Sequence, residues 1–212
     1  MSSKKRTVLY FLCGWIFFLP ANPGEVIDRI AAVVADEVIT LTDVRIAREF
    51  GIYDTAHVPI DTVDTFILNK LIDQKLVIQM TDTDVEVLEE DLDEAVRLAT
   101  FNLGEEQTRL KFLQFGIDWE DLKESFRENL LYQNTLFQRF SRSAFVGLRE
   151  IETYYRETYV PEQQSREVDP LPMLDVLNDI EAAIKRAKIA EQVDSWIENL
   201  RLEADIQILF EK

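Results

Sequence analysis

Hydrophobic positions change their period along the chain, and the change orders its elements. From Asp28 to Leu41 short β-rich runs, Ile30 to Val34 and Val38 to Leu41, flank Ala35, Asp36 and Glu37, which predicts a hairpin turning near Asp36. Ile206, Ile208 and Phe210 recur at period two near the other end, so a strand there is expected to pair with the hairpin in a small sheet. A two-stranded hairpin alone is marginal and needs such a partner.

Between these ends the pattern is helical. A short helix is expected after Thr42, read as its N-cap, and Gly51 suits the left-handed position beyond its end. A second helix, capped by Asp61, carries Leu68, Ile72, Leu76 and Met80 four apart, with Ile67, Leu71 and Ile78 widening the stripe. Apolar on more than one side, it is expected at the centre of the core. An acidic amphipathic helix from Leu88 to Asn102 ends at Gly104, and another from Glu105 to Phe115 ends at Gly116. Asp118 caps a long helix striped by Trp119, Leu122, Phe126, Leu130, Phe137 and Phe140, and a further helix spans about Leu148 to Glu157.

From Val160 to Leu174 the period fails amid Pro161, Pro170 and Pro172, which reads as a linker held by neither helix nor strand. Helix resumes near Asp175. There Leu177, Ile180, Ile184 and Ala187 face nearly opposite to Ile189, Val193, Trp196 and Leu200, so a kink or a change of packing partner is expected near Ala187.

The first residues follow another logic. Lys4, Lys5 and Arg6 precede an apolar run from Thr7 to Leu19, too short to span a bilayer, then Pro20 and Ala21. This is read as a secretory signal at 1–21 with Ala21 last before the cut; an uncleaved signal anchor is the alternative, with Leu19 where a small residue is preferred. Cys13, the single cysteine, lies in that run behind Phe11 and Leu12, which disfavours lipidation. A cleaved chain then holds no thiol for a disulfide or a metal.

Charge narrows the partners. The chain carries a net charge of -17, and losing Lys4, Lys5 and Arg6 without an acid takes it to -20. No basic patch is present, so nucleic acid is not expected as a partner. None of the six glycines forms a phosphate cradle, so no nucleotide is expected either. The acidic run Glu86, Glu89, Glu90, Asp91, Asp93 and Glu94 lacks the glycine and alternating oxygens of a calcium loop and is read as a solvated helix face. With His57 the single histidine, placed in the loop before the second helix, no catalytic residue, metal site or cofactor is expected. Phe101, Phe112, Phe115 and Trp119 cluster around two helix ends, where they either pack into the core or line an apolar groove for extended client segments.

The order of these pieces carries a resemblance. DRIAAVVADEVITLTDV from Asp28 to Val44 and LIDQKLVIQM from Leu71 to Met80 resemble the opening of SurA-type periplasmic chaperones. The long helix from Phe115 to Phe140, REIETYYRETY from Arg149 to Tyr159, and VDSWIENLRLEADIQIL from Val193 to Leu209 are similar to that family's later helices and closing strand. The departure is the parvulin isomerase domain: where it belongs stands only the stretch from Val160 to Leu174, and its paired histidines have no counterpart.

The resemblance implies a mainly α fold, a multi-helix chaperone core with a small sheet formed by the N-terminal hairpin and the C-terminal strand. The expected organisation is a SurA-like helical domain over 25–159, a linker over 160–174 in place of the isomerase, and a helix and strand over 175–212 packing back. It further implies a periplasmic, ATP-independent, non-catalytic holdase that binds unfolded or nascent envelope proteins, including outer-membrane proteins, and meets the membrane only through an uncleaved signal. The alternative is a structural or adaptor protein that binds one folded envelope partner.

Overall fold

The computed structural model describes residues 28–81 and 84–210. The expected signal segment, with Ala21 and Cys13, lies outside the described residues. Strand β1 (Ile30–Val34) sits between β2 (Glu37–Thr40) and β3 (Ile206–Ile208), antiparallel to both. The predicted meeting of the two ends of the chain is therefore present. The hairpin turns at Ala35 and Asp36, with Ala35 at φ +50°. A register shift between Ile30 and Ala32 marks a bulge in β1. That irregularity lets the consecutive residues Ala31 and Ala32 both turn inward, beside Val34, while Ile30 is largely exposed.

Helix α1 (Leu41–Glu49) starts two residues earlier than its predicted cap implies. Thr40, not Thr42, is the N-cap: its hydroxyl accepts from the Asp43 amide, and the Asp43 carboxylate accepts from the Thr40 amide. Gly51 takes the left-handed conformation beyond the helix, at φ +65°. The cap of α2 (Val63–Gln79) also shifts, from Asp61 to Thr62, whose hydroxyl donates to the Pro59 carbonyl instead of capping.

As its two-sided pattern requires, α2 is central, touching α1, the hairpin, α5 (Trp119–Phe140) and α8 (Leu177–Glu203). Ile67, Leu68, Ile72, Leu76 and Val77 are almost wholly enclosed. At about 1.5–3 kcal/mol for each fully buried side chain, no other element among the described residues offers a comparable contribution. Met80, placed on the stripe by spacing, is exposed because the helix ends at it.

A second cluster joins Ile46 and Phe50 to α3 (Glu89–Leu103) and α5 through Leu92, Val96, Leu122 and Phe126. A third, of Ile151, Val176, Ile180 and Ile184, joins α6 (Leu148–Tyr154) to the start of α8. The expected change of partner along α8 is thus real. Its first half packs on α6, and its second half presents Leu200 to the α2 and sheet cluster.

The expected linker is also corrected at its start. Helix does not stop before Val160: a π turn at Tyr155–Tyr159 leads from α6 into α7 (Val160–Ser165), so Pro161 lies inside a helical run. The Val160 amide donates to the Tyr155 carbonyl, five residues back. This widened turn accommodates the proline ring and its missing donor. Among the described residues no helix is long and apolar enough to cross a membrane.

Candidate functional site

The α3 helix and α4 (Glu105–Phe115) share a single connecting residue, Gly104, at φ +88° and ψ 148°. Side-chain-bearing residues strongly avoid this conformation. The Gly104 amide donates to the Thr100 carbonyl, while its own carbonyl accepts from both the amide and the hydroxyl of buried Thr108. The first bond ends α3 and the others begin α4, so the two helices meet at this one residue, and a groove of about 700 Å³ opens beside it.

Three of the four aromatic residues singled out in the sequence meet there. Phe101 is 77% exposed and Trp119 52% exposed, and half-buried Phe112 lines the same groove. The Phe112 and Trp119 rings stand edge to face at 4.9 Å, and Phe50 backs Phe112 at 6.0 Å. Phe112 is thus fixed from behind, while Phe101 and Trp119 offer faces to solvent.

Phe115 does not join them. It is buried at 6% exposure on another wall of α4, beneath the Lys111 ammonium 5.6 Å from its ring, and faces a second concavity. Clustering in sequence did not separate it from its neighbours. Sequence reasoning also missed the charges of the groove, Arg97, Arg109 and Glu105. A helical-neighbour count reveals both arginines, since Arg97 lies four residues before Phe101 and Arg109 three before Phe112. Arg97 grips Glu94 with two bonds of 2.6 and 2.8 Å, and these hold the Glu94 carboxyl below its usual range. Arg109 has no ion-pair partner among the described residues.

A partly buried polar network includes Gln74, Lys75 and Glu128, which line the second concavity. Tyr53 donates to Gln74 at 2.7 Å, Gln74 to Glu128 at 3.2 Å, and Lys75 to Glu128 at 2.6 Å. Burial pushes the Tyr53 phenol well above its ordinary range, so it stays a neutral donor. The network fastens α2 to α5 and to the loop after α1. His57 is exposed in that loop.

Comparison with known proteins places these features in context. A family model described as the SurA N-terminal domain matches residues 27–135, which take in the sheet hairpin, α1 to α4 and most of α5. The proteins named Chaperone SurA from Legionella pneumophila strains Paris and Philadelphia 1 are each 24% identical over 144 residues. That alignment takes in 64% of this chain and 34% of each relative, so the chain spans about a third of the length of the curated relatives it matches.

Proposed function

The chain belongs to the SurA N-terminal domain family, and from that premise we propose that it is a periplasmic, ATP-independent holdase that shields apolar segments of unfolded envelope proteins. The observation that carries this reading is the pair of solvent-facing aromatic rings, Phe101 and Trp119, on a groove whose third ring is held from behind. A soluble chain has reason to bear such a surface if something covers it. The relatives' name, Chaperone SurA, supports the same role.

The mechanism is burial without chemistry. Covering about 200 Å² of apolar surface yields about 5 kcal/mol at 25 cal/mol per Å², before the cost of association is subtracted. The remainder is weak and non-directional, which suits clients of differing sequence. A strongly negative charge, -17 for the full chain, keeps the loaded complex dispersed. The periplasmic location rests on the basic and apolar leader read in the sequence, and cell fractionation checks it.

Light scattering of an unfolded outer-membrane protein diluted from urea tests the reading. Several-fold molar excess of the chain should lower the aggregation yield, and Phe101→Ala with Trp119→Ala should lose most of that effect at unchanged helical content. No suppression by the parent chain refutes the proposal. A prolyl-peptide assay should return background rates.

A further inference from the structure

The second concavity, into which Phe115 faces, has a chemistry unlike that of the aromatic groove. It measures about 470 Å³, within the ~300–1,000 Å³ of ordinary ligand clefts. Its floor is apolar, formed by buried Ile39, Ile46 and Leu71 beside Phe115. Its rim bears Asp28, Asp43, Asp121, Glu124 and Glu128 against the one ammonium of Lys75.

Lys75 is engaged by Glu128 at 2.6 Å, and Glu124 by Arg127. Asp28, Asp43 and Asp121 have no cationic partner among the described residues. Backbone amides fix all three: Thr42 donates to Asp28 at 3.2 Å, Thr40 to Asp43 at 2.7 Å and Asp118 to Asp121 at 2.8 Å. Asp43 and Asp121 serve as capping residues of α1 and α5. Capping requires neither that they share a cleft nor that the cleft have an apolar floor. Their orientation is already set, so little side-chain freedom is left for a bound cation to remove.

We propose that this cleft binds a basic and apolar segment of an unfolded chain, a lysine or arginine flanked by aliphatic or aromatic residues. The inference rests on the reading of the protein as a binder of unfolded chains and adds a class of segment to it. Lysine and arginine combine an apolar stem with a charged tip, which matches a floor of Ile39, Ile46, Leu71 and Phe115 under a carboxylate rim. Segments rich in Asp or Glu are repelled by the same rim. Because the rim is open to solvent, salt weakens the preference.

Fluorescence anisotropy of a labelled peptide with two lysines flanking a phenylalanine, set among leucine and glycine, tests the proposal beside its lysine-acetylated twin. The lysine form should bind about tenfold tighter at about 20 mM salt and about twofold tighter at about 300 mM. Asp28→Asn, Asp121→Asn and Glu124→Gln together leave one acceptor oxygen on each side chain, which serves the backbone donors at 28 and 121, but remove three charges, and should erase the lysine advantage at unchanged circular dichroism. If that triple variant loses helicity, Glu124→Gln alone, which caps nothing, should still cut the advantage about twofold. Equal affinity for the two peptides, binding of neither, or an undiminished advantage in the folded amide variants overturns the proposal. Phe101→Ala with Trp119→Ala should leave the lysine advantage intact, so failure here is separable from failure of the aggregation assay.

Discussion

Arg201 on α8 holds Asp73 on α2 through an Nε–Oδ1 bond of 2.6 Å and also donates to the Asn69 carbonyl at 2.9 Å. Asp73 is well enclosed and Arg201 partly so, and the pair joins the last helix to the central one. Arg201→Ala leaves a buried carboxylate without its partner and should cost about 2–3 kcal/mol, at the lower edge for a broken buried pair because Arg201 is partly solvated. Arg201→Lys should recover only part of this, since an ammonium lacks the guanidinium fork that reaches both Asp73 and Asn69. Urea unfolding of the three proteins measures the difference.

The same pair fixes a pH dependence. Burial raises the Asp73 carboxyl above its ordinary value of 3.8, outweighing the lowering by Arg201. The folded state therefore holds that proton more readily than the unfolded chain. Stability relative to Asp73→Asn should improve as pH falls from the raised value toward 3.8 and should worsen as pH rises through that window. Unfolding free energies of the two proteins across mildly acidic pH check the sign.

Gly104→Ala tests the junction of α3 and α4 beside the aromatic groove. An added Cβ would meet nothing within 4 Å, so the penalty is backbone conformation alone. A cost of about 1–3 kcal/mol is expected. Relaxation of the turn should also move Trp119 relative to Phe112 and shift its fluorescence. An unchanged unfolding midpoint would show that the left-handed turn carries no strain for alanine.

Removing Ala204 to Lys212 should be costly because it strips β1 of one neighbour and uncovers the surface under Ile206 and Phe210, which pack on the main cluster. The two side chains are only partly buried, so about 2–4 kcal/mol is expected, a fall in Tm of roughly 5–15 °C. A scanning calorimeter distinguishes this from no change.

Trypsin should nick first near Arg166, which is exposed, and Glu167 beside it stands at φ +58°. The fragments should stay associated, because α8 remains bound to α6 through Ile180 and Ile184 and to α2 through Arg201. Replacing Arg166 to Asp169 with glycine and serine should leave both stability and aggregation suppression intact. Separation of the fragments on gel filtration would contradict this.

Much of the architecture was legible because periodicity reports which side of an element is apolar. The opposed stripes of α8 and the two-sided α2 carried their packing in the spacing, whereas in the period-two run Ile206 and Phe210 pack on the main cluster and Ile208 between them is 54% exposed. Positions settled by competition among neighbours were not. Thr40 takes the cap predicted for Thr42 because Asp43 can answer it three residues on, and Pro161 is carried in a helix because a π turn precedes it. At the candidate site, Phe101, Phe112 and Trp119 were singled out by their clustering around two helix ends, and the structure brings them to one groove. Phe115 turned away because spacing of three places it near Phe112 on the helix without saying which neighbour fills the space.

The sheet order also imposes a timetable. Strand β1 is made long before its partner, so one of its two edges waits for Ile206–Ile208, beyond the hairpin strand β2 and the intervening helices α1 to α8. Contacts so distant in sequence slow folding, and an open strand edge invites pairing with other chains while it waits. A chain delivered amino end first cannot seal its own sheet until β3 arrives. During that interval this protein presents the same hazard as the clients proposed for it.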